Sequence, residues 1–164
     1  MTKENGLHLA IIPDGNRRWA RKRALQPWKG HENAIEVIRG IINWCRDNEE
    51  IDVLTLWLFS TENWKRSQEE IEKLMEMLRK YLIEERPKFH KNETRFVHSG
   101  RKDRIPEDLA ELIKEMEEET AKYNKHTLHL ALDYGGRDEI VRAIKKLESN
   151  NDVSEETIRE HLDH

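Results

Sequence analysis

Pro13-Asp14-Gly15-Asn16-Arg17-Arg18-Trp19 sets an acid, an amide and two guanidinium groups side by side behind a short apolar run, Leu9 to Ile12. Guanidinium groups and backbone amides bind phosphate oxygens, whereas a carboxylate approaches phosphate comfortably only across a bridging metal ion. The segment therefore suits a diphosphate together with a divalent cation at Asp14. The alternative is a plain strand-loop-helix turn with solvated charges. Ser60-Thr61-Glu62-Asn63-Trp64-Lys65-Arg66 follows a second apolar run, and Gly100-Arg101-Lys102-Asp103-Arg104 and Asp133-Tyr134-Gly135-Gly136-Arg137 follow two more. Every cluster contains an arginine, and four of them at one edge of a sheet argue for an anionic-ligand site over a bare scaffold.

The elements that must hold these clusters alternate. Leu9 to Ile12 reads as a strand buried on both faces and ended by Pro13 and Gly15, with a helix from Arg17 to Ala24. Gln26 to Gly30 reads as a connection, and His31 to about Asn48 as a helix. Its apolar positions Ala34, Ile35, Val37, Ile38, Ile41, Ile42, Trp44 and Cys45 exceed one stripe, so it needs two apolar partners. These are the sheet and either a neighbouring helix or an apolar cavity. Val53 to Phe59 is a central parallel strand. A helix with Ile71, Leu74, Met75, Leu78, Tyr81 and Leu82 on one face runs from Gln68 until Pro87 limits it. Strands at Thr94 to His98 and Thr127 to Leu132 flank a helix from Pro106 to about Asn124. Helices at about Asp138 to Glu148 and Ser154 to His161 follow, the second with a partial capping box from Ser154 to Thr157. The pattern predicts one domain over 1–164 with an α/β layered fold: a mainly parallel sheet of four strands, helices on both faces and right-handed crossovers. Ligands gather at the carboxyl ends of such strands.

The 164 residues are 36% hydrophobic and 38% charged with a formal net charge of −4, which argues against a general nucleic-acid binder although Arg17 to Arg23 is locally basic. The single cysteine, Cys45, excludes an intramolecular disulfide, suits a reducing cytosol and reads as core. There is no secretory leader pattern and no apolar run near the roughly 18 residues of a membrane span. A cytoplasmic protein with at most peripheral membrane contact is expected. His126 with His129, and His161 with His164, lack a third metal ligand. His8 and His129 read as hydrogen-bonded residues at strand surfaces. Glu115, Glu117, Glu118 and Glu119 read as a solvated helix face. Trp44 and Trp57 read as core, while Trp19 and Trp64 lie in polar loops and could join the site.

His8 to Ala20, then Gly30-His31, then Phe59 to Arg66, then Tyr134-Gly135-Gly136-Arg137 resemble, in order and spacing, the cis-prenyltransferases, the undecaprenyl diphosphate synthase family. The resemblance covers essentially the whole chain. It implies a magnesium-dependent enzyme, a homodimer in the family, that elongates an allylic diphosphate such as farnesyl or geranylgeranyl diphosphate by cis additions of isopentenyl diphosphate. It implies that Asp14 engages magnesium and diphosphate, that Asp14 and Asn63 are catalytic, and that Gly15, Asn16, Arg17, Arg18, Trp19 and His31 surround the allylic diphosphate. Ser60, Glu62, Asn63, Trp64 and Arg66, with Glu70 as accompanying carboxylate, match the segment that positions the isopentenyl substrate. The two long helices resemble the pair that encloses the growing hydrocarbon.

Pro13 stands where most members carry methionine, Pro27 where many carry arginine, and Ser67 where proline is common. Members also continue beyond a segment like Glu160-His161-Leu162-Asp163 into an Arg-x-x-Gly-x-x-Arg-x-Ser-Asn-Phe type motif. The resemblance thus implies a chain that matches the N-terminal two-thirds of a synthase, encodes the allylic half-site, turns over weakly or not at all alone, and leaves a parallel edge strand uncovered. A magnesium-dependent phosphohydrolase with Asp14 as nucleophile, or a non-catalytic partner-binding subunit, are the rival readings.

Overall fold

Four strands, β1 (Leu7–Ile11), β2 (Ile51–Ser60), β3 (Thr94–Ser99) and β4 (His126–Tyr134), pair in parallel in the order β1-β2-β4-β3. The computed structural model describes residues 6–147 and 153–163. Among the described residues six α-helices accompany the sheet: α1 (Asn16–Arg21), α2 (Pro27–Asp47), α3 (Gln68–Lys91), α4 (Glu107–Thr120), α5 (Gly136–Lys146) and α6 (Glu155–His161). The expected α/β architecture is present. β2 and β4 are the inner strands; β2 is a nearly continuous apolar run, whereas β4 alternates Leu128, Leu130 and Leu132 with Thr127, His129 and Ala131. β1 is an edge strand with Leu7, His8 and Ala10 exposed, so the reading of Leu9 to Ile12 as a strand buried on both faces is corrected.

Alternate residues divide between the faces of the sheet. Leu54, Leu56, Phe96, Leu128, Leu130 and Leu132 join the main core together with Ile42 of α2 and Ile71, Met75, Leu78 and Leu82 of α3. On the opposite face a hydrogen-bonded row crosses all four strands. His8 Nε2 lies 2.6 Å from Thr55 Oγ1, which lies 3.0 Å from His129 Nδ1, while His129 Nε2 lies 2.7 Å from Ser99 Oγ. His8 and His129 thus have the structural role read for them. Trp57, half-buried, meets Tyr134 edge-on at 6.2 Å between centroids and is not a core residue.

Several boundaries differ from expectation for local reasons. α1 stops at Arg21, and Ala24 takes a left-handed backbone (φ +52°) where Leu25 folds back to donate to the Ala20 carbonyl. The presumed connection Gln26 to Gly30 contains the first turn of α2, because Pro27 at the helix start has no amide to leave unsatisfied. α3 passes through Pro87 to Lys91. Pro87 sits on the exposed side, so the carbonyl it cannot serve faces water, while Phe89, buried and edge-on to Phe96 at 5.7 Å, anchors the turn beyond it. Trp44 is 56% exposed, and so is Val37 one heptad earlier at 57%. The inward stripe of α2 is Ile35, Ile38, Ile42 and Cys45, so its apolar excess partly faces solvent. α5 ends at Lys146, and Glu148 and His164 lie outside the described residues. Both halves of the Ser154–Thr157 capping box form.

The outer edge of β3 is covered. Its outward amides find side chains: Phe96 N donates to Thr120 Oγ1 at 2.9 Å and His98 N to Glu117 Oε1 at 2.9 Å, both on α4, and the following Gly100 N donates to Asp163 Oδ2 at 2.8 Å. The expected uncovered edge is therefore not found at β3, and Glu117 is no solvated surface residue. Glu119 is likewise engaged, by Arg86 of α3 and by His90 at 3.2 Å.

Candidate active site

Both α2 and α3 start at the carboxyl edge of the sheet and run together toward the opposite edge, so their first turns frame one opening. Between them and the sheet lies a cavity of about 300 Å³. Interiors normally leave few voids larger than a water molecule, so space of this size marks a ligand pocket. Ile35, Ile38, Leu56, Phe59, Leu74, Leu78 and other apolar side chains form its walls, and Pro13, Asp14, Asn16, His31, Ser60, Asn63 and Arg66 its polar end. Along α3 the lining residues run from Leu74 to Leu82, about 12 Å at 1.5 Å per residue.

Asp14 projects into solvent at the end of β1. Its Oδ1 accepts from Gly15 N at 2.6 Å and its Oδ2 from Arg18 Nη2 at 2.8 Å. Gly15 has φ +93°, a left-handed conformation that folds the loop back on the carboxylate at little cost only without a side chain. Asn16 Nδ2 donates to Pro13 O at 3.1 Å and faces His31 Nδ1 at 3.4 Å. With the amide so oriented, Nδ1 is the accepting nitrogen and the imidazole proton is assigned to Nε2, 3.6 Å from Glu70 Oε1. Burial lowers the His31 pKa, and Arg66 adds to this against the opposing pull of Glu70, so the ring is neutral at pH 7. Glu70, 2% exposed, gathers cations from α1 and from the segment after β2: Arg17 Nε at 3.7 Å and Arg66 Nη1 at 3.4 Å. These are loose contacts, and they leave guanidinium donors spare at the opening.

The 3-10 turn Thr61–Lys65 closes the opposite side. Asn63 Oδ1 accepts from Ser60 N at 3.1 Å, and the Ser60 side chain accepts in return from the Asn63 backbone amide. Trp64 turns away from the cavity: its Nε1 donates to Asp133 Oδ1 at 2.8 Å and its ring meets Phe59 edge-on at 5.2 Å. Glu62 is exposed, with its carboxyl held below the usual range by its own amide and the Ser60 and Thr61 hydroxyls. Trp19 lies under the Arg23 guanidinium, 4.2 Å from the ring centroid.

Of the residues singled out in the sequence, Asp14, Asn16, His31, Ser60, Asn63 and Arg66 thus meet at one polar opening, with Gly15, Arg17, Arg18 and Glu70 directly behind them. Trp19, Glu62 and Trp64 do not line it. Two of the four arginine clusters are spent elsewhere. Arg101 pairs with Asp103 at 2.5 Å, Arg104 with Asp133, and Arg137 is exposed outside the lining. Sequence reasoning missed Ile12 and Pro13 as rim residues and Asp133 as a buried acid; an acid ending the apolar run Leu128 to Leu132 was the available signal for the last.

The class defined is an α/β protein whose pocket is apolar along the helices and polar at a rim that carries Asp14, Asn16, His31 and Arg66. The sequence profile described as undecaprenyl diphosphate synthase matches residues 12–164. An isoprenyl transferase from Aquifex pyrophilus is 45% identical over 158 residues, which cover 95% of this chain and 68% of that protein. A tritrans,polycis-undecaprenyl-diphosphate synthase (geranylgeranyl-diphosphate specific) from Pyrococcus furiosus is 42% identical over 94% of this chain and 62% of its own length. The crystal structure of lavandulyl diphosphate synthase from Lavandula x intermedia in complex with dimethylallyl diphosphate superposes with a TM-score of 0.83 at 30% identity, covering 96% of this chain and 71% of that one. The chain belongs to the undecaprenyl diphosphate synthase family of prenyltransferases. It spans 62% to 71% of the length of the curated relatives it matches. No helix among the described residues is long and apolar enough to cross a membrane.

Proposed function

We propose that this chain carries the allylic-substrate site of a cis-prenyltransferase and acts in condensing isopentenyl diphosphate with an allylic diphosphate, farnesyl or geranylgeranyl, to lengthen a polyprenyl chain. The observation that carries this reading is the shape and polarity of the cavity between α2, α3 and the sheet: an apolar channel, lined along about 12 Å of α3, that ends at Asp14, Asn16, His31 and Arg66. A prenyl tail fits the channel and its diphosphate meets the rim. A phosphohydrolase of small substrates would have no use for the channel.

Arg18 and Arg17, now engaged by Asp14 and Glu70, are the cations that would turn to the allylic diphosphate, joined by Asn16 as an amide donor. Ser60, Asn63 and Arg66 face them across the opening, where a second diphosphate would lie beside the first. Asp14 suits magnesium: this small ion is held by one or two carboxylates plus substrate phosphates, and Asp14 is an accessible carboxylate at the diphosphate end. When bound, magnesium would neutralise charge on the departing diphosphate. The residues of this chain hold the allylic carbon against the isopentenyl double bond, keep water from the tail, and stabilise the negative charge that grows on the leaving group more than that of the ground state. Peripheral contact with a membrane, where the lipid product resides, and a cytoplasmic homodimer belong to the same reading.

Calorimetric titration with farnesyl diphosphate, with and without magnesium, tests it. Saturable magnesium-dependent binding is expected, weakened about tenfold or more in Asp14→Ala because a charge-assisted contact is lost. A folded chain that does not bind, or binds equally after the substitution, would refute the assignment.

A further inference from the structure

Asp133 is 0% exposed and belongs to none of the rim groups. It is the penultimate residue of β4 and takes a left-handed backbone conformation (φ +52°) that aspartate tolerates better than most residues. Its Oδ1 accepts from Trp64 Nε1 at 2.8 Å, and Arg104 forks onto both carboxylate oxygens, with Nε donating to Oδ2 at 2.8 Å. The Arg104 guanidinium also lies 5.6 Å from the Trp64 ring centroid. One carboxylate therefore ties the turn after β2, the loop after β3 and the end of β4. Two residues on, Arg66 meets Glu70 at 3.4 Å. The C-terminal half of the turn that carries Asn63 is thus held by two buried acids, tightly by Asp133 and loosely by Glu70.

We propose that Asp133, fixed by Arg104, is a positioning residue that locks the Ser60–Arg66 turn through Trp64 and so governs binding of the isopentenyl diphosphate substrate, leaving the allylic site on the Asp14 loop largely unaffected. The identity of the ligand rests on the prenyl-transfer reading; the lock itself does not. The asymmetry follows from connectivity: Asp14, Asn16 and His31 share no hydrogen bond with Asp133, Arg104 or Trp64 among the described residues, and the turn meets the allylic side at Glu70 through contacts of 3.4 to 3.7 Å from Arg66, His31 and Arg17. An amide at position 133 keeps the size but points an N–H₂ at the N–H of Arg104 or Trp64, a donor against a donor.

The test combines Asp133→Asn, Trp64→Phe and the double variant. Hydrogen exchange at the Asn63 to Arg66 amides, measured without ligand, should quicken about tenfold in each single variant and no further in the double, as for two ends of one contact. Calorimetric affinity for isopentenyl diphosphate should fall about tenfold in Asp133→Asn, with farnesyl diphosphate within about twofold. Unchanged exchange, or equal weakening of both diphosphates, overturns the proposal, the second because a merely stabilising residue would affect both. If the unsubstituted chain binds neither diphosphate, the functional reading fails, while the exchange rates still decide whether the lock exists.

Discussion

Gly30 governs how closely α2 approaches the Asp14 loop: a Cβ there would lie 2.0 Å from the Asn16 carbonyl oxygen, a backbone atom that cannot swing aside. Gly30→Ala must therefore push α2 away from α1 and carry His31 off Asn16. The expected result is a loss of about 1–3 kcal/mol in urea denaturation, the usual range for overpacking, with weaker diphosphate binding alongside it. Gly40 of the same helix has nothing within 4 Å of such a Cβ, so Gly40→Ala should bind diphosphate normally and be slightly more stable. At this scale the sequence was informative where a side chain's own chemistry named its task. Asp14, Asn16, His31 and Arg66 are legible because acid, amide, imidazole and guanidinium in those runs suit one ligand. Asp133 was opaque because its partners, Trp64 and Arg104, are distant in sequence. Trp64 was misread for the same reason, since a tryptophan in a polar turn gives no hint of which way it faces.

α4 does two jobs as an element: it packs Leu109, Ile113 and Met116 inward and satisfies the outer amides of β3 through Thr120 and Glu117. Thr120→Val keeps the shape but removes the acceptor for the buried Phe96 amide. An unsatisfied buried donor costs about 1–3 kcal/mol, so the denaturation midpoint should fall accordingly with the diphosphate site intact. A variant as stable as the parent would mean that another acceptor takes over. The inner strands could be read from the chain because β2 is a nearly continuous apolar run and β4 sets Leu128, Leu130 and Leu132 at alternate positions. Helices are harder: an apolar count does not say which side is covered, and Trp44 and Val37 needed the geometry of α2 before they could be placed outside. Pro87 misled because its cost depends on whether the orphaned carbonyl can reach water, which depends on neighbours rather than on local sequence.

Across the whole molecule, acid should act first through His98. This ring is 2% exposed, lies 3.1 Å from the Leu132 carbonyl, and has its pKa lowered to about 4, chiefly by burial and then by Lys102. In the unfolded chain it takes up a proton near pH 6.5, so unfolding is favoured as pH falls through the window from 6.5 to 4, and the stability it contributes is intact above that window. Between pH 7 and pH 5, before most carboxylates titrate, the folded state should lose about 2 kcal/mol, read from urea midpoints. His98→Gln should flatten that slope, and a parent protein equally stable at both pH values would contradict the assignment. The sealed flank of β3 also gives the sheet a direction of growth. With Thr120, Glu117 and Asp163 occupying the amides that a neighbouring strand would need, no chain can pair there without first displacing α4. A fifth strand is left the far side of β1, next to the loop that carries Asp14, and one that paired there in parallel would open its carboxyl end onto the same rim.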